Sequence, residues 1–232
     1  MNLALHPDIQ IRKLTIGVEK APLLVIDNFV ANADELIENA ASTTFAERSR
    51  FYPGIRAHAP LSYQQLVIAG LQDALLECLE MQSGSLRFSM CCYSLITTLA
   101  KELAAPQRIP HIDSLSKQGL ASIHYLFKRN LGGTAFYRHR KTGFESIDES
   151  RNEMYLRSLQ GENMEPDAPG PGYINGDTDL FEQIAKQEGV FNRMLIYRRN
   201  SLHSGCIGGN FVPDPNPLTG RLSINSFIDV AP

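Results

Sequence analysis

The sequence predicts a mainly β fold, an antiparallel barrel or jelly roll with helices packed on one sheet. Three observations predict it. Short apolar and aromatic runs of strand length recur through the later part of the 232-residue chain, separated by turn residues. Two segments of the first third carry apolar residues at helical spacing. Side chains able to hold a metal, His111, Asp113 and His203, stand on segments distant in sequence, as they do when a barrel gathers its strands round one interior. The expected organisation is a single domain, 1–232. Residues 1–85 form an α/β buttress and 86–232 a jelly-roll core, with an insertion at about 140–191.

Leu23-Leu24-Val25-Ile26 reads as a buried strand. Asn32 and Glu35 have capping-box spacing and precede Leu36, Ile37, Ala40 and Ala41, which places a helix there. Ser62 with Gln65 opens a second helix by the same device. Its stripe is Val67, Leu71, Leu75 and Leu79, and Gly84 ends it. Strands are then expected over 87–98, 121–127, 134–139 (after the Gly132-Gly133 turn), 193–199 and 222–230. The stretch between His139 and Asn192 does not read as sheet. A helix fits 145–159, three prolines and two glycines make 165–172 a loop, and Asp179 with Glu182 caps a last helix ending at Gly189. An excursion of that length between barrel strands is expected to act as a lid.

Hydrophobic residues make up 43% and charged residues 20%, with a formal net charge of −3. That balance fits a soluble globular protein and leaves no electrostatic footprint for nucleic acid or an anionic membrane. The first residues lack the charged and apolar regions of a signal peptide. No run approaches the roughly 20 apolar residues of a membrane helix. Four cysteines, two of them adjacent (Cys91 and Cys92), do not make a disulfide framework. A cytoplasmic location and a small-molecule or peptide substrate are the expectation; oligomeric state is not legible.

His111-Ile112-Asp113 places two ligand-type side chains on one face of an extended segment. A distal His203 completes two imidazoles and one carboxylate, a set that caps one face of an octahedral metal and leaves positions open, as in non-haem iron(II) oxygenases. Taken alone, H-x-D is a weak signal. Tyr137 and Arg138 on one strand end, Arg198 on another, and Arg56 in the Tyr52–Arg56 loop are candidate substrate contacts at the barrel mouth. His124 must point opposite to Tyr125 and reads as structural. Cys206 reads as loop packing, and Gly176-Asp177-Thr178-Asp179 as a helix cap.

Motif order strengthens the weak signal. His111-x-Asp113 is followed by Ile123-His124-Tyr125-Leu126 with Gly132-Gly133-Thr134-Ala135-Phe136. Then come Asn192 to Tyr197 leading into Leu202-His203-Ser204-Gly205, and Gly220-Arg221 running to Asn225 and Phe227. With Val25 to Phe29 as the opening strand, this order resembles the 2-oxoglutarate and iron(II)-dependent oxygenases, in particular the prolyl hydroxylase branch, over roughly residues 22–230. The resemblance implies a double-stranded β-helix. It implies Fe(II), 2-oxoglutarate and O2 as cofactors and cosubstrates, and hydroxylation of an unactivated C–H bond. His111, Asp113 and His203 would be the metal ligands and Arg221 the bidentate partner of the far carboxylate. Tyr125 and Asn225 would be further cosubstrate contacts. Two departures stand out: the long gap from His203 to Arg221, and the insertion where substrate-facing elements belong. The alternatives are a cupin-like metal enzyme that does not use 2-oxoglutarate and a non-catalytic ligand-binding barrel.

Overall fold

The computed structural model describes residues 1–48, 51–162 and 172–230. In chain order the elements are β1 (Gln10–Ile16), β2 (Ala21–Asp27), α1 (Ala33–Ala41), β3 (Glu47–Arg48), β4 (Gly54–His58), α2 (Leu61–Cys78), β5 (Leu86–Ile96), β6 (Gly119–Tyr125), β7 (Gly133–His139), α3 (Glu149–Glu162), β8 (Phe181–Glu188), β9 (Met194–Arg198), β10 (His203–Cys206) and β11 (Leu222–Val230). Two antiparallel sheets face each other. The larger has the order β1-β2-β9-β6-β11-β5-β4-β3 and the smaller β10-β7-β8. No helix among the described residues is long and apolar enough to cross a membrane.

Strand alternation sorts the large sheet into two faces. Leu24, Ile26, Leu120, Met194, Ile196, Ile224 and Ile228 turn outward onto α1 and α2. Leu23, Val25, Ala121, Ile123, Tyr125, Leu195 and Tyr197 turn inward and meet Phe136 of the small sheet. Register aligns the inward side chains in three rungs across the sheet. Leu23, Tyr197, Ala121, Phe227 and Met90 form one; Val25, Leu195, Ile123, Asn225 and Cys92 the next; Tyr125, Ser223, Ser94 and Arg56 the third. The outer face of the small sheet carries a third core, where Tyr137 and Phe181 pack with Ile147, Tyr155 and Ile174. The layers are therefore helices, large sheet, interior, small sheet, and the segment around α3.

Helix starts differ slightly from the sequence reading. Asn32 is the N-cap of α1, but its Nδ2 donates to the Glu35 Oε1 at 2.9 Å rather than a side-chain oxygen capping the backbone. α2 begins at Leu61 behind Pro60 and stops at Cys78, short of Gly84, while Val67, Leu71, Leu75 and Leu79 are buried as the stripe requires. β1 escaped the sequence reading because it is an edge strand whose side chains are mostly exposed. The Tyr52–Arg56 loop is partly a strand, since β4 pairs with β5.

The helix expected after Asp179 is a correction. Residues 181–188 are β8, paired along β7. The polar residues that mimic a helix cap instead fix the strand's start: Asp177 Oδ1 accepts from Gln183 N at 2.8 Å and Thr178 Oγ1 from Phe181 N at 3.0 Å. Without β8 the backbone of β7 would lack partners on that side, and satisfying it overrides local helix signals. The insertion expected as a lid is, in its described parts, a packed layer holding buried Ile147, Tyr155, Ile174 and Phe181. Residues 163–171, most of the Pro/Gly loop, lie outside the described residues.

Asn192 ties the two halves of the large sheet together. At φ 60° its Nδ2 donates to Val30 O at 2.9 Å, and its Oδ1 accepts from Val30 N at 3.0 Å and from the His124 ring at 3.1 Å. Asn192→Ala should cost about 2–4 kcal/mol, because buried groups on Val30 and His124 lose their partners. Urea unfolding followed by far-UV circular dichroism reads this, and a loss below about 1 kcal/mol would show the network to be replaceable. Burial pushes His124 down to about 4, against the opposing pull of Asn192. Its folded value lies below the unfolded one of about 6.5, so the unfolded chain takes the proton first. Stability from this group is complete above about 6.5 and declines as pH falls towards 4, by at most about 1.4 kcal/mol per pH unit. His124→Phe should flatten that part of the stability–pH curve; equal slopes in both proteins would remove His124 as the cause.

Candidate functional site

The His111–Asp113 segment is extended but is not a regular strand. His111 and His203 form an isolated antiparallel bridge, each amide donating to the other's carbonyl at 2.9 and 3.0 Å. Asp113 N donates to Arg199 O at 2.8 Å. Ile112 packs on the outer core, so alternation sends His111 and Asp113 the other way, towards the interior. On its far side, the turn from β9 to β10 is laced to the start of the insertion through Leu202 N to Glu145 O and Ile147 N to Asn200 O, both 2.8 Å.

The two imidazole rings lie 4.4 Å apart between centroids. Asp113 Oδ1 is 3.7 Å from His111 Nε2, and its Oδ2 is 3.5 Å from His203 Nε2. The three ligating atoms all lie within 4.8 Å of one another. These separations are too long for hydrogen bonds. The Asp113 carboxylate, 14% exposed, accepts no hydrogen bond among the described residues. His203 Nδ1 is 2.9 Å from Ser201 O, which makes Nδ1 the donor and leaves the Nε2 lone pair facing Asp113. Desolvation, the His203 ring and Arg56 bring His111 down to about 4 against the pull of Asp113, although about half of its side-chain surface, 49%, is open to solvent. Two imidazoles and one carboxylate converging on a common space fit a divalent first-row metal.

At the other end of the interior lies Arg221, 2% exposed. Its Nε donates to Leu131 O at 2.9 Å and its Nη2 to Gly133 O at 3.0 Å. Its guanidinium faces the rings of Phe127 and Tyr125 at 5.3 and 5.8 Å. No carboxylate pairs with it among the described residues. A buried cation held only by carbonyls is expensive and favours an anionic ligand. The backbone supplying those carbonyls runs close to its neighbours. A Cβ on Gly132 (φ 84°) would sit 2.2 Å from Cys206 O, and one on Gly133 1.9 Å from Gln187 O.

The other sequence candidates separate into two groups. Tyr125 faces the interior, and its hydroxyl meets Thr134 Oγ1 at 2.7 Å, joining the two sheets. Asn225 sits on the middle rung, its Oδ1 accepting from Ser223 Oγ at 2.8 Å. Arg56 is also inward. Tyr137 and Arg198 are corrections, because neither faces the interior, whereas Arg138 alternates with Tyr137 onto the side of Phe136. Tyr137 is buried in the outer core. Arg138 is held by Glu145 at 2.9 Å and Glu182 at 2.8 Å. Arg198 shares the face of Met194 and Ile196 and reaches Cys78 O and Glu80 beside α2. Cys206 bonds Asn175 in the outer layer, and the acidic run at 177–179 caps a strand. Tyr52, in the loop that the sequence offers with Arg56, lies under the Arg56 guanidinium at 4.2 Å; burial raises its hydroxyl's pKa while Arg221 and then Arg56 pull it back. Tyr173 carries no sequence signal; it donates to Thr98 O at 2.7 Å, and burial and then Tyr52 raise its pKa against the pull of Arg221.

The model of a family of unknown function, DUF6445, matches residues 7–228. The chain belongs to that family. No curated protein matches the sequence of this DUF6445 chain. Solved structures share its fold, among them the following two. One is SnoN, the non-heme alpha ketoglutarate dependent epimerase from nogalamycin biosynthesis. It is 10% identical with a TM-score of 0.52, over 92% of this chain and 79% of that one. The other is HygX from Streptomyces hygroscopicus with nickel, 2-oxoglutarate and hygromycin B bound. It is also 10% identical, with a TM-score of 0.55 over 92% of this chain and 84% of that one. At that identity the likeness establishes the double-stranded β-helix of the DUF6445 chain and leaves its chemistry to the site.

Proposed function

We propose that this DUF6445 protein is an iron(II)- and 2-oxoglutarate-dependent oxygenase acting on an unactivated C–H bond of a small-molecule or peptide substrate. The observation that carries the reading is a single interior with His111, Asp113 and His203 converging at one end and, at the other, a buried arginine that no carboxylate pairs among the described residues. His111, Asp113 and His203 would hold the metal. Arg221 would pair with the far carboxylate of 2-oxoglutarate, with Tyr125 and Asn225 along the wall between. Bound there, iron(II) with 2-oxoglutarate would activate O2 for hydrogen abstraction. The protein's own work is to fix the His203 tautomer through Ser201, to keep Asp113 free of competing donors, and to exclude water with the inward apolar residues.

The motif order supports a prolyl hydroxylase-like branch, and the fold shared with SnoN and HygX is one that serves alpha ketoglutarate dependent chemistry. SnoN is described as an epimerase, so the same scaffold accommodates outcomes other than hydroxylation. The composition favours a cytoplasmic protein acting without nucleic acid or membrane.

Asp113→Ala should lower affinity for iron(II) or nickel(II) by more than about tenfold in calorimetric titration, since two imidazoles alone are a poorer chelate. Unchanged affinity would move the metal elsewhere. Arg221→Met should leave metal affinity nearly intact and abolish 2-oxoglutarate binding. Losing one partner of a buried ion pair costs about 3–5 kcal/mol, which is several hundredfold or more. Anaerobic titration of the iron-loaded protein, followed by the metal-to-keto-acid charge-transfer band, reads it directly. A band at wild-type 2-oxoglutarate concentrations in the Met variant would favour a metal enzyme that does not use this cosubstrate.

A further inference from the structure

Arg56 is a second inward-facing cation, and the proposed cosubstrate does not use it. It lies on β4 opposite Ser94, on the rung of Tyr125 and Ser223. Its side chain runs along the sheet to the rung of Phe227, Ala121 and Tyr197, where its Nη1 meets the Met90 thioether at 3.6 Å. His203 packs against Tyr197 at that level, 4.7 Å between ring centroids with the planes tilted by 60°. The guanidinium lies over the Tyr52 ring at 4.2 Å, which fixes its plane. Its Nε is buried without a hydrogen-bond partner, and no ion pair reaches it among the described residues. A thioether is a weak acceptor. A guanidinium held by a ring face and a sulfur atom, on the metal side of the interior, leaves Nε without an acceptor among the described residues.

We propose that Arg56, held in place by Tyr52, binds a carboxylate of the primary substrate, so that the substrate class is a monocarboxylate. The charge argument rests on the functional reading above. A divalent metal and Arg221 together are neutralised by Asp113 and the two carboxylates of 2-oxoglutarate. The Arg56 charge is left over, and one negative group on the substrate balances it. A planar carboxylate fits the planar fork of a guanidinium with two parallel bonds. The other arginines near this end are already matched or turned away: Arg199 pairs with Asp229 at 2.7 Å and Arg198 with Glu80 at 2.8 Å.

The test uses the full chain loaded with nickel(II) and 2-oxoglutarate. The probes are propionate, its uncharged isostere propionamide, and inorganic phosphate, followed by calorimetry and by saturation-transfer NMR. Propionate should bind, and propionamide should not. Arg56→Met should weaken propionate by at least about tenfold, a step of roughly 1.4 kcal/mol, while leaving 2-oxoglutarate affinity as in wild type. Arg56→Lys should be intermediate. Tyr52→Leu, which removes the stacking ring while keeping the charge, should weaken propionate too and guards against misfolding of the Met variant. Far-UV circular dichroism checks each fold. The inference is overturned if wild type ignores propionate, if propionamide binds equally, if phosphate is preferred, or if Arg56→Met binds propionate normally. It is also overturned if Arg56→Met loses 2-oxoglutarate as Arg221→Met does, since Arg56 would then belong to the cosubstrate. Arg56-dependent propionate binding in a protein that does not bind 2-oxoglutarate would sink the oxygenase reading and leave the carboxylate site standing.

Discussion

Two backbone hydrogen bonds between His111 and His203 are the constraint on which the site depends. They bring together segments far apart in the chain and set two imidazoles side by side with no contribution from the rings themselves. Everything around the bridge serves to hold it. The β9–β10 turn accepts Asp113 on one side and the 145–147 segment on the other. The insertion is thus part of the clamp, and its buried Ile147 anchors the outer layer against which the turn rests.

Around that clamp the interior is electrostatically lopsided. Several cations elsewhere are matched by carboxylates: Arg193 with Asp27, Arg138 with Glu145 and Glu182, Arg151 with Glu19. Inside, Asp113, Arg221 and Arg56 face neutral walls of aromatic rings, hydroxyls and one amide. Among the described residues neither inward arginine has an ion pair, and an unpaired buried charge detracts from stability unless a ligand meets it.

Much of this was legible in the sequence. Short β-rich runs gave the strands, because a half-buried sheet demands alternation that leaves a pattern. The i, i+2 spacing of His111 and Asp113 was enough to put them on one face, although a single bridge rather than a strand enforces it. The alternation through Met194, Ile196 and Arg198 already placed Arg198 towards the helices, and attention to phase would have removed it from the mouth. β8 was not legible: its polar start has the same spacing as a helix cap, and only the need to pair β7 decides between them. Tyr173 was not legible, and Tyr52 only as part of a candidate substrate loop. Both lie outside regular elements, where no period ties position in sequence to direction in space.

The paired glycines at the start of β7 have a consequence for how such a site can diversify over generations. Leu131 and Gly133 hold Arg221 through main-chain oxygens, and Gly132 and Gly133 have no room for a side chain. That end offers natural selection almost nothing to vary. Arg56 sits near the opposite margin, on β4, with only the short β3 beyond it. Substitutions there disturb few neighbours. The architecture therefore divides into a frozen pole and a plastic one, and descendants of this chain would change what they act upon long before they changed how.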